Sequence, residues 1–134
     1  MIRLLALAAL LGISAVGLYP RNAAAHAAFI TASPGPDAQI DAMPPELRVV
    51  FSEAVFRSGT EVIVTDAAGT VVSGDVAIDN NIVTVPLQPG ATGAYEVRWR
   101  NVSADDGHEA SGSYTFQFSP PAIGSATPES EGPA

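Results

Sequence analysis

Tyr95-Glu96-Val97-Arg98-Trp99-Arg100-Asn101-Val102 alternates in character: Tyr95, Val97 and Trp99 fall on one side, and Glu96, Arg98 and Arg100 on the other. A period of two is the mark of a β-strand with one face buried. Downstream, residues 113–118 put Tyr114, Phe116 and Phe118 on a common face. Upstream, residues 28–32, 47–52, 61–65, 70–78 and 82–87 are short apolar or β-branched runs. Ser33-Pro34-Gly35-Pro36, Asp66-Ala67-Ala68-Gly69 and Asp79-Asn80-Asn81 lie between them as turns, and Gly74 reads as a bulge or bend within the fourth run. About seven short strands at this spacing predict an all-β sandwich or barrel. No part of the body carries a long amphipathic helical pattern, and Met43-Pro44-Pro45 is a poor helix site. Leu87-Gln88-Pro89-Gly90 before Tyr95 leaves two readings of that tyrosine, a tyrosine corner or a plain core aromatic.

The ends of the chain differ from this body. Arg3 precedes an uncharged apolar run over residues 4–18, broken by Tyr19-Pro20 and followed by Ala23-Ala24-Ala25. These are the three parts of a cleavable secretory signal, expected over residues 1–25. The run is too short for a membrane span of about 20 apolar residues. Cleavage before His26 and cleavage before Ala28 both satisfy the small-residue rule. Residues 120–134, Pro-Pro-Ala-Ile-Gly-Ser-Ala-Thr-Pro-Glu-Ser-Glu-Gly-Pro-Ala, are too poor in apolar side chains to fold and are expected as a disordered tail. Residues 26–119 are then the single domain, and the mature chain is expected to be soluble and monomeric.

Loss of the leader removes Arg3 and Arg21 and no acid, so the formal charge moves from −8 to −10. What remains has four arginines and no lysine, a surface that repels phosphate backbones and disfavours nucleic acid. The chain has no cysteine. That excludes disulfides, thiolate metal sites, blue-copper centres and cysteine nucleophiles.

Two histidines carry the remaining chemistry. As residue one, His26 offers a free α-amine and an imidazole Nδ1 to one metal ion; otherwise it is an accidental first residue. His108 lies in Ser103-Ala104-Asp105-Asp106-Gly107-His108. In an extended backbone Asp106 and His108 face the same side and Asp105 points away; taken alone, the segment reads first as a polar turn. Together the groups form a set of one amine, two imidazoles and one carboxylate. Such donors suit Cu(II), and zinc accepts them in a tetrahedron. Protons compete for the same nitrogens, so metal binding weakens as pH falls.

The chain resembles the CopC family of periplasmic copper-binding proteins. The resemblance is carried by His26, Ser33-Pro34, Phe51-Ser52-Glu53, Gly93-Ala94-Tyr95-Glu96-Val97-Arg98-Trp99-Arg100, residues 103–108, and Gly112-Ser113-Tyr114-Thr115-Phe116, in the family order. It implies an immunoglobulin-like Greek-key β-sandwich and a Cu(II) site at His26, Asp106 and His108. It also implies that Glu53 supports the site near the N-terminal amine. The implied location is the periplasm, or the cell surface or medium where there is no outer membrane. The implied role is copper homeostasis, resistance or delivery to an inner-membrane importer of the CopD type, without enzymatic activity. Some members add a methionine-rich Cu(I) site; here only Met43 survives cleavage, and one thioether cannot build it. Two other readings are set beside this one. A copper-dependent polysaccharide monooxygenase also uses an N-terminal histidine, but is generally larger and needs a flat aromatic surface. A metal-free immunoglobulin-like interaction module follows if the mature chain begins at Ala28.

Overall fold

A computed structural model describes residues 26–122. The expected signal segment and residues 123–134 of the expected tail lie outside the described residues. Eight strands follow in order: β1 (Phe29–Ser33), β2 (Gln39–Ile40), β3 (Glu46–Phe51), β4 (Glu61–Thr65), β5 (Ala77–Asp79), β6 (Ile82–Pro86), β7 (Gly93–Val102) and β8 (Glu109–Phe118). They form two four-stranded sheets, β1-β3-β6-β5 and β2-β8-β7-β4. Only β5–β6 and β7–β8 join chain neighbours within one sheet; every other connection crosses to the facing sheet. This is the β-sandwich connectivity expected of the immunoglobulin-like class. No helix among the described residues is long and apolar enough to cross a membrane.

The alternation written in the sequence sets the core. β3 and β6 turn Leu47, Val49, Phe51, Val83 and Val85 inward from one sheet. β4, β7 and β8 turn Val62, Val64, Tyr95, Val97, Phe116 and Phe118 inward from the other. Each such side chain contributes about 1.5–3 kcal/mol when fully buried. Tyr95 stacks on Phe116 with ring centres 5.2 Å apart. Its hydroxyl accepts a 2.9 Å hydrogen bond from the Gly90 N–H, five residues upstream. Tyr95 is therefore both a core aromatic and the tyrosine corner.

Two expectations need correction. Residues 70–78 are not one strand. Val71 bridges to Thr65 at the end of β4, Ser73 bridges to Leu87 beyond β6, and only β5 pairs regularly. The segment carries the chain from one sheet to the other, so its β-branched residues serve two different edges. β8 begins at Glu109 rather than 113, pairing residue for residue with β7 from Val102↔Glu109 to Gly93↔Phe118. The short β2, absent from the sequence reading, runs parallel to the end of β8.

The register places several chain segments at one end of the sandwich. β1 starts where β3 ends, with Phe29 opposite Phe51. β7 ends where β8 starts. Beyond these strand ends, Val55 bridges to Ser103, the Ala104 N–H donates to the Ala54 carbonyl at 2.8 Å, and the Phe56 N–H donates to the Val102 carbonyl at 2.9 Å. The N-terminal arm, residues 52–56 and the β7–β8 loop are thereby drawn together.

Candidate metal centre

The N-terminal arm is fixed before β1 begins. Ala27 is fully buried within the core. Its carbonyl accepts a 2.8 Å hydrogen bond from Asn101 Nδ2, itself fully buried on β7. Ser52 Oγ accepts from the Ala28 N–H at 2.9 Å and donates to the His26 carbonyl at 3.2 Å. Three residues of the arm are thus held by β7 and by the residue that follows β3, two segments remote in sequence, while His26 itself is exposed.

The β7–β8 loop is a turn, not the extended segment that would place Asp106 and His108 on one side by alternation. Gly107 has φ +73°, a left-handed conformation that glycine adopts without a Cβ clash. Asp106 and His108 still meet, through a local side-chain turn. Asp106 Oδ1 accepts the His108 backbone N–H at 2.9 Å, and Oδ2 lies 2.6 Å from His108 Nδ1. These two contacts, the backbone one first, hold the Asp106 carboxyl below its ordinary pKa and keep it ionised. Asp105 gives its backbone N–H to Ser103 Oγ at 3.2 Å, and its side chain is exposed.

The two halves converge on their imidazoles. The His26 and His108 rings stand edge to face with centres 5.2 Å apart and planes at 89°. An imidazole nitrogen binds a metal at about 2.0–2.1 Å, which puts two rings on one ion at centre separations of roughly 4.5–6 Å. Side chains at His108 and Asp106 are 64% and 24% exposed, so an ion in solution has access to them. Among the described residues, no three His, Asp or Glu side chains already form a group arranged to hold an ion. The structure pairs His26 with His108 and His108 with Asp106, and leaves the three short of one closed cage. Glu53 joins the β7–β8 loop through Ser103: its Oε2 accepts a 3.0 Å hydrogen bond from Ser103 Oγ.

With this arrangement in view, residues 29–119 match the CopC domain family. The chain belongs to the CopC family. The crystal structure of CopC from Methylosinus trichosporium OB3b superposes with a TM-score of 0.64 at 25% identity, covering 69% of this chain and 93% of that one. A copper transport protein of Bacillus subtilis (strain 168), CutJ, is 31% identical over 104 residues, which is 74% of this chain. The match takes up 19% of CutJ, so the chain spans about a fifth of that relative's length. The CopC match begins at Phe29, three residues after His26, and ends at Ser119, beyond β8.

Ser52, Asn101 and Ser103 also position the site, and sequence reasoning did not assign them these roles. A serine at a strand end or a turn start signals local backbone bonding. The Asp105 N–H bond to Ser103 Oγ is of that local kind. The Ser52 and Asn101 bonds reach across the fold to the N-terminal arm, and no spacing in the chain encodes them.

Proposed function

We propose that this chain is an exported copper-binding protein that holds Cu(II) once cleavage has made His26 its first residue. The ligands are the His26 amine and imidazole, His108 and Asp106, and Glu53 supports them through Ser103. The observation that carries this reading is the edge-to-face meeting of His26 and His108 at 5.2 Å, on a domain of the CopC family.

Three features support the details. The Asp106 Oδ2 to His108 Nδ1 separation of 2.6 Å is close to the spacing of about 2.8 Å between two ligands at right angles on an ion with 2.0 Å bonds. The same pair serves as a hydrogen bond while a proton occupies the gap, and an ion replaces that proton. The buried Ala27 and its bond from Asn101 favour cleavage before His26, because cleavage before Ala28 removes a core residue. Nitrogen and carboxylate donors without sulfur suit Cu(II). Met43 packs against the core, so its thioether is used for packing rather than for a separate Cu(I) site.

The physiological role in this reading is copper homeostasis or resistance, or hand-over to a membrane importer of the CopD type, outside the cytoplasm and without a catalytic step. CutJ, named as a copper transport protein, matches this domain over only a fifth of its length. Calorimetric titration of the chain beginning at His26 tests the reading. One Cu(II) is expected per chain, with binding severely weakened in His108→Ala and in a chain beginning at Ala28. Unchanged affinity in His108→Ala sinks the proposed site.

A further inference from the structure

We infer that Ser103 is a positioning residue which, through Glu53 and the neighbouring Ser52, fixes the spacing between His26 and His108. Ser52 and Glu53 are consecutive residues leaving the end of β3. Ser52 holds the N-terminal arm by its bonds to the His26 carbonyl and the Ala28 N–H. Glu53 instead holds Ser103. One dipeptide therefore grips both halves of the site, and the distance between the halves is set by adjacent residues of a single chain segment.

Ser103 passes this grip to the ligand loop. It is fully buried. Its hydroxyl donates to Glu53 Oε2 and accepts the Asp105 N–H, which shapes the turn leading to Asp106. Its backbone brackets His108: the Ser103 N–H donates to the His108 carbonyl at 2.9 Å, and the Ser103 carbonyl accepts the Gly107 N–H at 2.9 Å. The bridge to Val55 and the bond between Ala104 and Ala54 pin the same residue pair from the other side. A hydroxyl at 103 and an oxygen acceptor at 53 are the two chemical requirements of the brace. Serine's small side chain meets the first in a position with no exposed surface.

The copper reading above supplies the meaning of the spacing, and a metal-free measurement tests the spacing itself. Proton cross-relaxation between the His26 and His108 rings is read by NMR in the metal-free chain beginning at His26. It is expected in the wild type and in Glu53→Gln, which keeps an oxygen acceptor. It is expected to be lost or strongly reduced in Ser103→Ala and Glu53→Ala. With Cu(II), the latter two variants are expected to bind about 10–100-fold more weakly, the usual cost of removing an outer partner of a metal ligand.

Asp66→Ala is the control for a merely structural effect. Asp66 follows β4, whose last residue Thr65 pairs with Glu96 near the start of β7, about 25 Å along that strand from Ser103. It is expected to lower thermal stability while leaving the ring-to-ring signal and the copper affinity unchanged. If Ser103→Ala fails to fold, Glu53→Ala decides. Retention of the metal-free ring contact in a folded Ser103→Ala or Glu53→Ala variant overturns the positioning role. Absence of Cu(II) binding in the wild type overturns the copper reading instead, and leaves the NMR result to judge the brace.

Discussion

A chain that begins at Ala28 loses more than the proposed ligand His26; it loses a piece of the core. Ala27 is fully buried, and removing its methyl group forfeits about 0.8 kcal/mol of apolar burial. The buried Asn101 Nδ2 loses the Ala27 carbonyl, and an unsatisfied buried donor costs about 1–3 kcal/mol. Asn101 Oδ1 already lacks a partner among the described residues, so the truncated chain leaves the whole amide unpaired until water enters. The exposed bond from Ser52 to the His26 carbonyl adds little. The sum is about 2–4 kcal/mol, which for a domain of this size lowers Tm by roughly 8–25 °C. Urea unfolding of the two metal-free chains, one beginning at His26 and one at Ala28, measures it directly. His26→Ala in the longer chain separates the two roles: an exposed ring changes stability by less than about 0.5 kcal/mol, yet removes the imidazole ligand. Equal midpoints for the two chains would refute the claim that the arm is an anchored part of the fold.

Other outcomes follow from the same structure. Tyr95→Phe removes the acceptor of the Gly90 N–H and is expected to destabilise the fold by about 1–3 kcal/mol in denaturant titration, without altering copper binding. Gly112→Ala would set a Cβ within 2.6 Å of the Trp99 ring, and such overpacking costs about 1–3 kcal/mol; displacement of the indole is read from its fluorescence. Asp66 accepts N–H groups from Ala68, Thr70 and Ala91, and these bonds, that from Ala91 foremost, lower its pKa. Its folded pKa lies below the unfolded value near 3.8, so its stabilisation is complete above that value and is lost as pH falls through the folded pKa. In Asp66→Asn this part of the acid dependence is expected to disappear from stability measured against pH.

The elements whose partners are local or periodic were legible in the sequence. β4 falls on its expected residues, and the Tyr95, Val97 and Trp99 face of β7 turns inward because strand alternation and burial make the same demand. The turn at Asn80 lies where two consecutive asparagines tolerate positive φ. Residues 70–78 misled because β-branched content reports compatibility with a pleated sheet, not with one particular sheet. Val71 and Ser73 each pair, but on opposite sheets. β2 has two residues and exists only through its parallel partner β8.

The candidate site's residues stood out in composition, and their meeting only partly in geometry. The two histidines were recognisable by their rarity and setting, and the structure brings them together. Asp106 was paired with His108 for a reason the structure replaces: an extended backbone was expected, whereas a side-chain turn with Gly107 at positive φ brings them into contact. Glu53 was expected near the N-terminal amine, and its described bond is to Ser103. Such contacts depend on which strand ends meet, and that is decided by the packing of two sheets rather than by any local pattern.

In the proposed site the first residue supplies two ligands and the β7–β8 loop supplies the rest. Electron paramagnetic resonance of one equivalent of Cu(II) on the chain beginning at His26, with nitrogen couplings resolved, reads that ligand set. One tetragonal Cu(II) coupled to three nitrogens, the amine and two imidazoles, is expected, with one imidazole coupling lost in His108→Ala. A spectrum that is the same in the wild type, in His108→Ala and in the chain beginning at Ala28 would contradict it.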